Sequence, residues 1–332
     1  MLRLPVFQVL SPETVEDAVA ALAAHPGARL LAGGTDLLPN LKHWLDRPPA
    51  LVSLARVAAL RGLVVEDGVL RIGAGVTLQT LAQAEVVRAK LPSLAKSAGI
   101  IASPLIRNMG TIGGNVNLDT RCRYVNQTEF WRGAIGGGCI KSEGDVCHVV
   151  PKGRNCVAAM SSDNVPVLIS LGATLVQLGP DGRRELPLEE FFHADGTAHT
   201  RALPGELTTE LRVPLPEGPR RSDYVKWCVR KSIDFPLVSV ALRFDLEEDR
   251  VDAPITAAHV IVGVLGAKPR RVGKLEGVLG RPLADAQVAA LVSDAAYRQC
   301  KPLANVPYEV AYRREMIRVY TRRAIAAMAA GA

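Results

Sequence analysis

Leu30-Leu31-Ala32-Gly33-Gly34-Thr35-Asp36-Leu37-Leu38 is answered, further along the chain, by Ile106-Arg107-Asn108-Met109-Gly110-Thr111-Ile112-Gly113-Gly114-Asn115. In the first stretch an apolar run, 29–32, reads as a short buried strand that empties into adjacent glycines. Such a loop lets successive backbone N–H groups point at an anion and lets the backbone approach a phosphate closely. The second stretch offers the same freedom, with Thr and Asn side chains as hydrogen-bond partners. Each loop alone also reads as a structural turn. Together they suggest a cradle for a diphosphate, as in a dinucleotide cofactor. Neither contains a P-loop Lys-Ser/Thr pair or a spaced G-x-G-x-x-G, so neither supports a nucleoside triphosphatase or a Rossmann site.

The surrounding elements follow from composition and period. Ser11-Pro12 reads as a helix start, with Ser11 as N-cap, Pro12 at the first helical position and Glu13, Glu16 and Asp17 near the positive end of the dipole. Val15, Ala18, Val19, Leu22 and Ala23 form the apolar stripe, and Gly27 ends the helix. With a strand near 51–54 this gives a βαβ-like opening. Two alternating runs, 63–66 and 69–72, flank the turn Asp67-Gly68. Helices are predicted from Thr77 and over about 92–98, and an apolar run resumes at 165–171. A Pro/Gly-rich stretch, 214–219, reads as a linker. Beyond it come strand runs at 224–229, 237–244 and 259–265, then helices at about 285–296 and 308–328, the order expected of an α+β unit.

The chain has 332 residues, 48% of them hydrophobic and 22% charged, which fits a globular protein of two domains. The formal net charge is +7. No helix-turn-helix, zinc-finger or RNA-recognition signature accompanies it, so the basic residues, concentrated at 268–274 and 313–323, read as solvated faces or a subunit interface and not as a nucleic-acid site. The longest apolar run, near 257–267, is about half a membrane span and holds His259. The N-terminus shows no secretory signal. A cytoplasmic protein with no membrane partner is expected.

Four of the six cysteines, Cys122, Cys139, Cys147 and Cys156, fall within one irregular stretch, spaced C-x16-C-x7-C-x8-C. They suggest either a metal centre or a pair of disulfides. A reducing cytoplasm argues for metal or redox use. No C-x-x-C pair is present, so the spacing matches neither a ferredoxin nor a zinc ribbon. Four thiolates suit a 4Fe-4S cube, and His148 beside Cys147 leaves a Cys3His zinc site open. Cys228 and Cys300 are isolated and read as packed thiols.

The two glycine strings resemble those of the FAD-binding subunits of the molybdenum hydroxylase (xanthine dehydrogenase) family. Ser162-Asp163 with Pro166, then Lys226, Asp234 and the 238–244 strand, extend the resemblance over essentially the whole chain. The resemblance implies a vanillyl-alcohol-oxidase (PCMH)-type FAD-binding fold of two α/β subdomains over residues 1–216. An α+β domain like that of carbon monoxide dehydrogenase flavoprotein would follow over 217–332. By match, Gly33, Gly34, Thr35 and Asp36, with flanking Leu31, Ala32 and Leu37, would hold the FAD diphosphate. Thr111, Gly114 and Asn115 would hold it from the other side, and Asp163 and Lys226 would lie near the ribityl or isoalloxazine portion. An N-cap role for Asp163 and a surface position for Lys226 are the alternatives.

The family string Gly-Gly-Asn usually runs straight on to Ser-Asp-x-x-Pro. Here about 40 residues, 120–160, intervene and carry all four clustered cysteines. This insertion resembles that of the 4-hydroxybenzoyl-CoA reductase type. The resemblance implies a 4Fe-4S cluster on Cys122, Cys139, Cys147 and Cys156. It also implies a large subunit with the molybdenum cofactor and substrate site, and a small subunit with two 2Fe-2S clusters. The assembly would be a heterohexamer of three subunit types, with ferredoxin as electron donor. No acid–base pair or nucleophile is legible in this chain, which suits an electron-transfer subunit. The rivals are the FAD subunit of a xanthine- or aldehyde-type dehydrogenase with a metal-stapled loop, and a zinc-stapled nucleotide-binding module.

Overall fold

The structure, a computed structural model, describes residues 2–331. Three short strands open the chain: β1 (Gln8–Leu10), β2 (Arg29–Leu31) and β3 (Ala50–Ser53), all parallel in the order β1-β3-β2. Parallel strands need crossover connections: the helix Val15–Ala24 links β1 to β2, the two strands that flank β3, and the helix Leu37–Lys42 links β2 to its neighbour β3. Buried Ala18 and Val19 of the first helix pack with Val52, Val57, Leu60 and Leu207. That first helix begins later than the Ser-Pro signal suggests. Thr14, not Ser11, is the N-cap, its hydroxyl accepting from the Asp17 amide at 3.0 Å.

The second sheet is antiparallel, with β4 (Leu63–Glu66), β5 (Val69–Gly73), β6 (Thr174–Gly179), β7 (Gly182–Pro187) and β8 (Leu207–Pro214) in the order β4-β5-β8-β6-β7. Asp67 (φ 49°) and Gly68 (φ 73°) both turn left-handed between β4 and β5, as a two-residue hairpin requires. Leu70, Ile72, Leu175 and Leu211 of this sheet share one core with Leu81, Leu94, Ile112, Val165 and Leu168 from helices laid over it. The apolar run at 165–171 is thus part of a helix, Asn164–Ser170, in which every residue is buried. A short apolar run buried all round has no period to separate helix from strand.

The third sheet holds β9 (Arg220–Trp227), β10 (Val238–Leu246), β11 (Ile255–Gly263) and β12 (Arg270–Arg271), antiparallel in the order β12-β11-β10-β9. One face packs Val240, Leu242, Phe244, Val260 and Val262 against the helices Ala286–Gln299 and Val310–Ala329. The other face sends Tyr224, Ala241 and Ile261 into the core of the second sheet. This double burial explains why β10 is buried without interruption from Val238 to Leu242.

Arg313, read from sequence as part of a solvated basic face, is fully buried. Its guanidinium donates to the carbonyls of Leu237 (3.0 Å), Leu303 (2.6 Å) and Val264 (2.6 Å), joining the start of β10, the turn after β11 and the chain before the last helix. Burial lowers its pKa to about 10, so it stays charged at neutral pH. Among the described residues no helix is long and apolar enough to cross a membrane.

Candidate functional site

The two glycine loops meet edge to edge. A Cβ on Gly33 would lie 1.9 Å from the Met109 carbonyl oxygen, and one on Gly110 would lie 3.4 Å from the Thr35 hydroxyl. Gly34 adopts φ +70°, a left-handed conformation that favours glycine. The second loop is pinned from below. Ile112 and Gly113 amides donate to the carbonyls of Val76 and Ala74, both at 2.9 Å, and the Leu78 amide donates to Gly110 at 2.8 Å. Thr111 caps the short helix Ile112–Val116, accepting from the Gly114 amide at 3.1 Å. Ala32, Gly33, Gly34, Thr35, Asp36 and Leu37 are therefore drawn beside Gly110 and Thr111, and the loops run together as one backbone-lined edge.

Asn115 ties this edge to the segment after the insertion. Its Oδ1 accepts from Ser162 Oγ at 2.7 Å and from Asn164 Nδ2 at 3.0 Å, while Ser97 Oγ donates to Asn164 Oδ1 at 2.7 Å. Asn164 and Ser97 belong to this buried network, yet no sequence pattern marks them. Asp163 stands at the head of the helix Asn164–Ser170 but makes no side-chain cap. Its carboxylate turns to β9, accepting from the Tyr224 hydroxyl at 2.8 Å and pairing with Lys226 Nζ at 3.2 Å. Both side chains of the pair are only 5% exposed. The N-cap and surface-lysine alternatives are thereby corrected: the two residues form a buried ion pair between the first two subdomains and the third. Burial pushes the Asp163 carboxyl upward, against the opposing pull of Lys226 and Tyr224. Tyr224 escaped the sequence reading because only its packing distinguishes it from other core aromatics.

Asp36 is likewise engaged. Its Oδ1 accepts from Arg121 Nη1 at 3.0 Å and its Oδ2 from Asn40 Nδ2 at 2.9 Å. Burial raises its pKa and Arg121 opposes the rise. Arg121 stands one residue before Cys122, at the stem of the insertion, where Arg121 and Ala159 exchange backbone hydrogen bonds of 2.8 and 2.7 Å.

The insertion is folded and docked. Thr128 caps a helix, Glu129–Ala134, that the sequence reading took as irregular. Buried Arg132 donates to the carbonyls of His43 (3.2 Å), Trp44 (3.0 Å) and Gln127 (2.6 Å). Arg123 and Val157 bond Asn305 on the other side. All four cysteines are unbonded thiols, so the disulfide alternative is not observed. All four nevertheless line a single small cavity, together with His148 and Lys141. Backbone amides of Val150 and Ala158 donate to the sulfurs of Cys147 and Cys156, each at 3.4 Å. Burial pushes the Cys122 thiol up to about 11 and raises Cys156 as well. Such a pocket disfavours bare thiolates and would favour them beside a cation. His148 Nε2 is buried with no hydrogen-bond partner among the described residues. Among those residues no group of three or more His, Cys, Asp or Glu side chains is arranged to hold a metal ion. What the loop offers a metal centre is donor identity, convergence on one cavity and the amide donors to sulfur, without a ligand arrangement around a common point. Cys300 is an isolated buried thiol, pushed up to about 12, and Cys228 bonds only its own loop.

Residues 5–216 match the family described as FAD binding domain in molybdopterin dehydrogenase, and residues 223–328 match the CO dehydrogenase flavoprotein C-terminal domain. The chain belongs to the FAD-binding subunits of the molybdenum hydroxylase family. The expected fold of this family is the one observed. Among its relatives are the aldehyde oxidoreductase FAD-binding subunit PaoB of Escherichia coli K12, 32% identical over 88% of this chain and 91% of that protein. The carbon monoxide dehydrogenase medium chain of Hydrogenophaga pseudoflava is 29% identical over 97% and 96%. Among solved structures, Cu,Mo-CO dehydrogenase in its cyanide-inactivated form has a TM-score of 0.80 at 26% identity, covering 99% of this chain and 100% of that one. The Hydrogenophaga pseudoflava enzyme that lacks the Mo-pyranopterin moiety has a TM-score of 0.77 at 26% identity, covering 97% and 96%. This molybdenum hydroxylase flavoprotein is thus an oxidoreductase subunit.

Proposed function

We propose that this chain is the FAD and iron–sulfur electron-transfer subunit of a molybdenum enzyme that reductively dehydroxylates 4-hydroxybenzoyl-CoA to benzoyl-CoA. The observation that carries the reading is the convergence of Cys122, Cys139, Cys147 and Cys156 from one segment, 120–160, on one small cavity, while Arg121 at the stem of that segment touches the first glycine loop. The overall change takes up two electrons and two protons, breaks the ring C–O bond and releases water. FAD exchanges one or two electrons and a 4Fe-4S cluster exchanges one, so the pair suits relay between a one-electron donor and a two-electron reaction.

The chain's own residues hold, position and insulate. Residues 31–37 would line one side of the FAD diphosphate, and Thr111, Gly114 and Asn115 the other. Asp163 and Lys226 would stand near the ribityl or isoalloxazine portion. The four cysteines would ligate the cluster, with the Val150 and Ala158 amides donating to its sulfur ligands. The FAD-binding domain would span 1–216 and the C-terminal domain 217–332. The partners would be a large molybdenum-cofactor subunit, a small 2Fe-2S subunit and a cytoplasmic ferredoxin, in a heterohexamer.

The anaerobically purified complex tests this reading. Flavin bands over a broad iron–sulfur absorption, with four irons beyond those of the small subunit, support it; a colourless, zinc-containing loop sinks it. Cys139→Ser should remove the loop iron and leave FAD bound. A cluster potential well above that of FAD would count against low-potential electrons entering there. A second reading, an aldehyde- or purine-oxidising complex, is favoured by the aldehyde oxidoreductase and xanthine dehydrogenase subunits among the relatives. Turnover of NAD with an aldehyde or purine, and none of the acyl-CoA, would select it.

A further inference from the structure

The first glycine loop carries an oddity: a carboxylate, Asp36, sits in a segment read as holding an anionic diphosphate. At a few ångströms and a dielectric well below that of water, like charges repel by an amount that would erode binding. The structure supplies an answer. Asp36 Oδ1 is paired with Arg121 Nη1 at 3.0 Å, and each side chain is about three-quarters buried, so solvent screens the pair weakly. Arg121 is itself held. Its guanidinium lies over the Phe235 ring, 4.1 Å from the centroid, and its backbone is clamped to Ala159 by two hydrogen bonds. Asn40 takes the other carboxylate oxygen, so Asp36 keeps one orientation.

We propose that Arg121, at the stem of the cysteine insertion, is a positioning residue for FAD: it neutralises Asp36 and so lets the first glycine loop accept a diphosphate. The inference rests on the diphosphate reading of that loop. It makes the insertion a determinant of flavin affinity as well as a bearer of cysteines.

The test measures FAD dissociation from the full chain in its complex, after removal and re-addition of FAD. Arg121→Gln should weaken FAD roughly tenfold or more by leaving an unpaired, three-quarters-buried anion beside the ligand. Arg121→Lys should restore most of that affinity. Once Asp36 is Asn, the further change Arg121→Gln should cost little additional FAD affinity, because the anion that Arg121 neutralises is gone. Asp36→Asn in the Arg121→Gln background should recover most of the loss, a coupling that a merely structural arginine would not show. Additive losses, or parent affinity in Arg121→Gln, overturn the proposal. Should Arg121→Gln not fold, the doubly changed protein Arg121→Gln with Asp36→Asn is compared with Asp36→Asn, and a further large loss of FAD affinity in the doubly changed protein overturns it. Hydrogen exchange separates the two levels of argument. If FAD fails to protect the amides of 32–37 and 110–115, the diphosphate reading fails; if it protects them and the coupling is absent, only the role of Arg121 fails.

Discussion

Gly33 has no room for a side chain. The Met109 carbonyl oxygen occupies the place a methyl group would take, 1.9 Å from an ideal Cβ, and its carbon lies at 2.5 Å, both backbone atoms that cannot swing aside as a side chain would. Gly33→Ala should therefore prise the two loops apart. The expected outcome is loss of about 1–3 kcal/mol of stability, the usual penalty of overpacking, together with loss of most bound FAD. Flavin absorbance per polypeptide and the thermal midpoint would show both. The adjacent glycines were legible in the sequence because glycine pairs after an apolar run are rare outside turns and ligand loops. The reason for Gly33 was not: the contact that requires it comes from a residue far along the chain. The same holds for Asp36. Its type and place were readable, but its partner Arg121 carries no local mark, because an arginine before a cysteine looks like any surface cation.

The insertion, 120–160, is an ordered element held by its contacts with the rest of the chain. Its ends were legible from the motifs that flank it, Gly113-Gly114-Asn115 before and Ser162-Asp163 after. Its interior read as irregular, although Thr128-Glu129 is a helix-start signal and caps Glu129–Ala134. What gives the insertion order is docking. Arg132 spends three backbone hydrogen bonds on His43, Trp44 and Gln127, and Asn305 bonds both Arg123 and Val157. Arg132→Ala should leave those carbonyls unpaired at a cost of about 2–3 kcal/mol. The cost should appear as local opening. Amide protection across 120–160 should fall roughly thirty-fold or more, while β5, β8 and β10 keep theirs. Equal loss of protection in the sheets would show that Arg132 instead supports the whole fold.

The family and its order of domains were readable from the whole chain, because the motifs fall in a fixed sequence. How the units are joined was not, since the joining groups are single buried residues on separate strands and loops. Arg313 fastens the third sheet to the chain before the last helix, and Lys226 with Tyr224 meets Asp163 across the domain boundary. The Asp163 carboxyl is already pushed up by burial, and Lys226 is the larger of the forces holding it down. Lys226→Met should therefore raise it further and leave a buried, unpaired carboxylate, costing about 3–5 kcal/mol at neutral pH. Between about pH 4, where a free Asp titrates, and the raised folded value, the variant's native state keeps a proton that the unfolded chain has released. Stability of the variant must then fall as pH rises through that window and level off above it. The deficit relative to the parent should accordingly shrink as pH is lowered towards 4, where the carboxyl is neutral in both states. Asp163→Asn in the Lys226→Met background should recover much of the loss and flatten the profile. Urea midpoints of the FAD-saturated protein at a series of pH values, with unchanged slopes, would measure this. A deficit that stays constant with pH would mean that Lys226 contributes packing and not charge to the junction.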